Sequence, residues 1–131
     1  VKRAQIPDLA AIRHELDLTQ QAFAQLLGIS IRAVHSYEQG WRLPSSAVER
    51  MALLLLIAHR RGASMARNSC WKETDCPRDR RAQCMAFRSR QGHMCWFLTG
   101  TLCAGTPTRT WDEKRERCSR CEIMHRLLRP A

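Results

Sequence analysis

A chain of 131 residues with 22 Lys and Arg against 12 Asp and Glu has room for one ordinary domain or two small ones, and its net charge of +10 suits a polyanionic partner. Its longest apolar run, residues 51–58, is eight residues, far short of the ~20 a membrane-spanning helix requires. Residues 1–17 mix charges with apolar side chains, unlike a secretory signal, so a cytoplasmic chain without membrane association is expected.

The two halves differ in kind. Residues 1–62 hold 8 basic and 5 acidic residues and no cysteine, whereas residues 63–131 hold 14 and 7 and all seven cysteines. The cysteine-rich half is thus the more basic one.

In chain order, Leu9, Ile12 and Leu16 recur at spacings of three and four, which predicts a short amphipathic helix over residues 7–16. Thr19 caps a second helix over 20–27, with Phe23, Leu26 and Leu27 on its apolar face and Gly28 at its end. Ser30 caps a third helix over 31–39 that Gly40 stops, and Ser45 opens a fourth running to about Arg60. The turn Gly28-Ile29-Ser30 between the second and third helices is short, and Gly28 supplies the left-handed residue such a bend requires.

With these elements placed, the run from Leu18 through Thr19, Gln20 and Phe23 to Ser30, then Val34 to Gly40, then Arg42-Leu43-Pro44, resembles the Cro/Xre type of helix-turn-helix over residues 6–60. The resemblance implies a DNA-binding domain. It implies that Gln20, at the start of the second helix, clamps a phosphate. Ile31, Arg32 and Ser36 match positions that face base edges in the major groove, with Ser30 and His35 beside them, and Arg42 matches a backbone contact. Among these, Arg32 has the chemistry for bidentate bonding to guanine, and Ile31 for contact with a thymine methyl. Arg13 and Glu38 match a structural ion pair between the first and third helices. Ala22 departs from the pattern, since relatives often place there a glutamate that completes a capping box with Thr19. Half-site geometry implies a homodimer on double-stranded DNA.

Residues 62–69 lose apolar periodicity and read as a linker, dividing the chain into domains at 1–61 and 70–131. Arg60 and Arg61 either extend the fourth helix or touch phosphate. Beyond the linker, periodicity weakens and sulfur becomes the organising chemistry. In a reducing compartment seven cysteines point to metal ligation or redox work, and an odd number cannot pair completely within one chain. Two Cys-Trp pairs, Cys70-Trp71 and Cys95-Trp96, begin similar segments 25 residues apart, as a duplicated half-site would. Cys118 and Cys121 form the one close pair, able to grip a single tetrahedral ion, and further ligands must come from distant loops.

The order Cys70-Trp71, Cys76, Cys84, Cys95-Trp96, Gly100-Thr101-Leu102-Cys103 and Cys118-x-x-Cys121 resembles the two-CW cysteine-rich domain over residues 70–125. That resemblance implies a metal or iron–sulfur domain. All seven cysteines, Cys70, Cys76, Cys84, Cys95, Cys103, Cys118 and Cys121, stand as ligand candidates. The site is either an iron–sulfur cluster or zinc, and two zinc sites would call on His93 or His125 as the eighth ligand. Trp71, Trp96 and Trp111 read as core, and the arginines at 78, 80, 81, 88 and 90 as a solvated surface that can add phosphate contacts.

The expected fold is mainly α, a compact four- to five-helix DNA-binding domain followed by a small, irregular cysteine-rich domain. The expected function is a transcription regulator whose cysteine centre senses redox state or metal. The alternative makes the second domain a structural zinc module for dimerisation or partner binding. A thiol oxidoreductase built on Cys118-x-x-Cys121 lacks the βαβ setting that motif normally opens, so no enzyme is expected.

Overall fold

The computed structural model describes residues 5–62 and 69–130, which are mainly helical and contain no strand. The chain divides into two units, one of residues 7–59 and one that takes in the chain from Arg60 on.

In the first unit, helix formation begins with side-chain caps. Asp8 accepts from Ala11 N at 2.9 Å to start α1 (Leu9–Glu15), and Thr19 accepts from Ala22 N at 3.1 Å to start α2 (Gln20–Leu27). Ser30 accepts from Ala33 N at 3.0 Å to start α3 (Ile31–Glu38), and Ser45 accepts from Val48 N at 3.3 Å ahead of α4 (Ser46–Arg61). Each cap satisfies an amide that the first turn leaves without an intrahelical acceptor. Gly28 ends α2 at φ 71°, a left-handed conformation that a β-carbon would strain. The bend brings α3 back against α2, and both contribute to a core of Leu9, Ile12, Phe23, Val34, Val48, Leu53, Leu56 and Ile57. Burial of each large apolar side chain contributes about 1.5–3 kcal/mol.

One ion pair ties α1 to α3. Arg13 Nε lies 2.7 Å from Glu38 Oε2 and Arg13 Nη2 lies 2.9 Å from Oε1, a fork-to-fork arrangement with little exposure of either side chain. Arg13 Nη1 also donates to the Leu18 carbonyl at 3.0 Å. The guanidinium, opposed by partial burial and aided by the Gln20 amide, holds the Glu38 carboxyl below its ordinary range. A depressed carboxyl stabilises the fold above its unfolded pKa of 4.5, and the stabilisation is lost as pH falls through the lower, folded value. Glu38→Gln should therefore destabilise the first unit by about 1–3 kcal/mol at neutral pH, since it removes the charge that faces a largely buried guanidinium and one of its two carboxylate acceptors. Denaturant titrations should find the variant and the parent converging as pH is lowered.

The second unit is built from shorter pieces: α5 (Cys70–Glu73), α6 (Arg78–Arg81), α7 (Met85–Arg88), 3-10 segments at Gly92–Phe97 and Cys103–Gly105, then α8 (Trp111–Ser119) and α9 (Glu122–Leu128). Thr110 caps α8 through Glu113 N at 3.2 Å, whereas α5, α6, α7 and α9 have no side-chain cap. Its core combines Ala86, Trp96, Trp111, Ile123, Met124, Leu127 and Leu128. Arg60 and Arg61 extend α4 and donate to the carbonyls of Leu128 and Leu127, the latter at 3.1 Å, so both belong to this unit and are engaged with protein carbonyls. The division thus falls two residues before the expected domain end at 61. Of the expected linker, residues 63–68 lie outside the described residues.

Candidate functional site

All seven cysteines, dispersed over 52 residues of sequence, line one cavity of about 800 Å³ in the second unit. Local geometry accounts for how each arrives. Cys70 opens α5, and Cys76 follows on the loop that Cys76 N anchors to the Trp71 carbonyl at 3.0 Å. Cys84 precedes α7 and its sulfur accepts from Leu102 N at 3.4 Å. Cys95 is carried by the first 3-10 segment and Cys103 by the second. Cys118 sits near the end of α8, and a turn with Cys121 N bonded to the Cys118 carbonyl at 3.0 Å delivers Cys121 to the start of α9.

The two Cys-Trp segments meet. The space beside Gly92 is filled by Trp71, so that a β-carbon there would stand 2.5 Å from the indole Cζ3 and 3.0 Å from Cys70 N. The neighbouring Cys70 thiol and burial push the Cys95 thiol well up. The two Cys-Trp segments thus bring Cys70 and Cys95 to the same cavity. Gly92→Ala should cost about 1–3 kcal/mol through overpacking against Trp71, read as a lower midpoint in tryptophan-detected unfolding.

The cavity wall is chiefly apolar, and all seven thiols are free. Burial pushes Cys76 and Cys121 up and raises Cys118 to about 12, with the nearby Lys114 charge pulling Cys118 the other way. Metal binding must expel these protons, which makes it favour higher pH. Among the described residues, no three Cys, His, Asp or Glu side chains converge where a single ion would sit. Neither His93 nor His125 lines the cavity.

Two buried polar groups lie next to cavity-lining cysteines, one by sequence and one by contact. Trp96 Nε1, next in chain to Cys95, is buried without an acceptor among the described residues. Lys114 is fully buried, with Nζ 2.6 Å from Thr101 Oγ1 and 3.9 Å from Cys103 Sγ. A donor set of sulfurs beside an unneutralised cation fits an anionic, thiolate-ligated group. Arg80 and Arg81, expected on a solvated surface, are half-buried and line the cavity, and Arg81 lies 5.3 Å from the Phe87 ring centroid. Arg78, Arg88 and Arg90 are exposed as expected. Trp96 and Trp111 are core residues, while Trp71 is half-buried on the cavity wall.

In the first unit, α3 presents Ile31, Arg32 and His35 to solvent, with Ser36 half-buried. The Arg32 guanidinium has no partner among the described residues. Gln20 begins α2, and its Nε2 donates to Glu38 Oε1 at 3.3 Å, which anchors the amide from beneath. Ser30 is exposed at the start of α3. Arg42 stacks 5.1 Å from the Tyr37 ring centroid and donates to its hydroxyl at 3.1 Å. Sequence reasoning passed over Trp41, which is 70% exposed and stands edge-on to His35 at 5.5 Å. Its signal was an aromatic side chain directly after the glycine that stops α3. Comparison with known protein families, with curated proteins and with solved structures finds no match to this chain.

Proposed function

We propose that this chain is a DNA-binding regulator with a cysteine-ligated centre. More specifically, the reading is a transcription regulator of the Cro/Xre type, active in the cytoplasm as a homodimer on double-stranded DNA, whose second unit holds an iron–sulfur cluster. The observation that carries it is the convergence of seven free thiols on a single cavity.

The residues divide the work. Arg32 and Ile31 supply direct readout, Ser30, His35 and Ser36 flank them, and Gln20 and Arg42 fix register on phosphate. Such contacts recognise base edges only when α3 is held rigidly, which is the part played by the Arg13–Glu38 fork. In the second unit the cysteines bind, and the apolar wall excludes water. When bound, a cluster supplies one-electron redox chemistry at a site whose packing depends on it. Loss of that packing is how the second unit would change operator affinity.

The test uses the full chain purified anaerobically. Visible absorption, two to about four iron atoms with matching sulfide per chain, and footprinting whose strength changes on air oxidation are expected. A colourless protein with stoichiometric zinc and a footprint indifferent to oxygen would replace this reading with the structural zinc module. No footprint on any DNA at low salt would remove the regulator itself.

A further inference from the structure

Among the described residues, Lys114 is buried with no carboxylate in hydrogen-bond contact with its Nζ. It lies on α8 with 0% exposure, and its neighbours on that helix are committed elsewhere: Glu113 accepts from Arg109 N at 2.8 Å, and Glu116 pairs with Arg120 at 2.7 Å. What Lys114 touches instead is Thr101, whose equally buried hydroxyl lies 2.9 Å from Thr108 Oγ1, and the Cys103 sulfur at 3.9 Å. A threonine hydroxyl offers a dipole but no charge. A buried cation in such a place is costly unless an anion completes it, and of the two groups that Lys114 Nζ touches among the described residues, Cys103 is the one able to become an anion. The loop that carries Cys103 is held for the purpose: Thr108 N bonds to the Thr101 carbonyl at 3.0 Å, and Arg117 Nη1 donates to the carbonyls of Cys103 and, at 3.0 Å, Thr106. Ammonium and sulfur are thereby fixed relative to each other before any ligand arrives.

We propose that Lys114 is the built-in counter-charge of the cysteine centre, donating to the Cys103 sulfur and favouring the more negative, reduced form of the group bound there. This rests on the iron–sulfur reading above. Reduction brings one electron from a low-potential one-electron donor to the iron, and no covalent bond forms or breaks. The added electron makes the centre more anionic, and a fixed cation behind one of its sulfurs, 3.9 Å from Cys103 Sγ, stabilises that state more than the oxidised one. Lys114 is thus a positioning and tuning residue rather than a catalytic one.

The full chain and its Lys114→Met and Lys114→Arg variants are to be reconstituted anaerobically with ferrous iron and sulfide, assayed for both, and titrated potentiometrically with dithionite. Lys114→Met should carry the parent's iron and sulfide but be about tenfold harder to reduce, a midpoint about 59 mV lower for one electron. Lys114→Arg should restore the parent's midpoint. An equal or higher midpoint for Lys114→Met at equal iron content overturns the inference and leaves the iron–sulfur reading standing. A parent chain that takes up no iron overturns both. Should Lys114→Met take up no iron, Thr101→Val carries the measurement, because it leaves the ammonium with sulfur as its only acceptor. A raised midpoint there supports the inference, and an unchanged or lowered one overturns it.

Discussion

Cys118→Ser should abolish the visible absorption of the anaerobically purified protein and reduce its bound iron to less than about a tenth of the parent's, the largest single effect expected in the second unit. Cys118 is 5% exposed, fixed in α8, and joined to Cys121 through one turn, so two of the seven sulfurs enter the cavity as a preset pair. Serine has nearly the same shape but a hydroxyl is a poor ligand for iron. It also places a polar group in an apolar wall, which costs about 1–3 kcal/mol where no partner is found. The same substitution should therefore lower stability even in protein that was never loaded. Iron uptake by the parent should rise with pH, because burial holds Cys76, Cys118 and Cys121 in their neutral form and each ligand must shed its proton first. Stopped-flow or manual reconstitution at several pH values, followed by iron assay, checks both expectations.

The second large effect belongs to α3. Arg32→Ala should weaken operator binding by about 1–3 kcal/mol, roughly fivefold to 150-fold, and flatten discrimination at one base pair. Arg32 is exposed and unpartnered among the described residues, so its removal leaves the fold intact. Arg42 differs, since its guanidinium is already stacked on Tyr37 and bonded to that hydroxyl. An Arg42→Ala control should weaken all sequences alike and reduce the salt dependence of binding, as loss of one phosphate contact does. Quantitative footprinting across a set of single-base operator variants separates the two outcomes.

The first unit was legible because its determinants are local. Thr19, Ser30 and Ser45 cap helices within three residues of the amide they satisfy, and Gly28 marks a backbone conformation visible from residue type alone. The Arg13–Glu38 fork, 25 residues apart, was reached through family resemblance rather than periodicity, and the geometry bears out that pairing. The Asp8 cap went unread, although the aspartate stands directly before the helix. In the second unit, helices of four residues such as α5, α6 and α7 complete barely one turn, so no 3.6-residue pattern can build up. Cysteine spacing announced a sulfur-based site but not a common cavity, which depends on loops closing over intervals of up to fourteen residues. Lys114 was the deepest omission. It sits among charged residues in a stretch that reads as a solvated helix, and only the tertiary structure turns that one side chain inward.

The unequal capping of the two units bears on how the protein matures. Synthesis proceeds from the N-terminus, and the four helices of the first unit each carry their own side-chain start signal. The second unit carries three uncapped single-turn helices and seven free thiols, so on the iron–sulfur proposal its completion would be tied to cofactor delivery rather than to translation. On that proposal, a chain made in an iron-poor cell would hold a finished first unit and an unfinished second one. Proteases would meet the two halves of such a chain at very different stages of assembly, and turnover of the immature form would be a second route by which iron supply sets the amount of the protein.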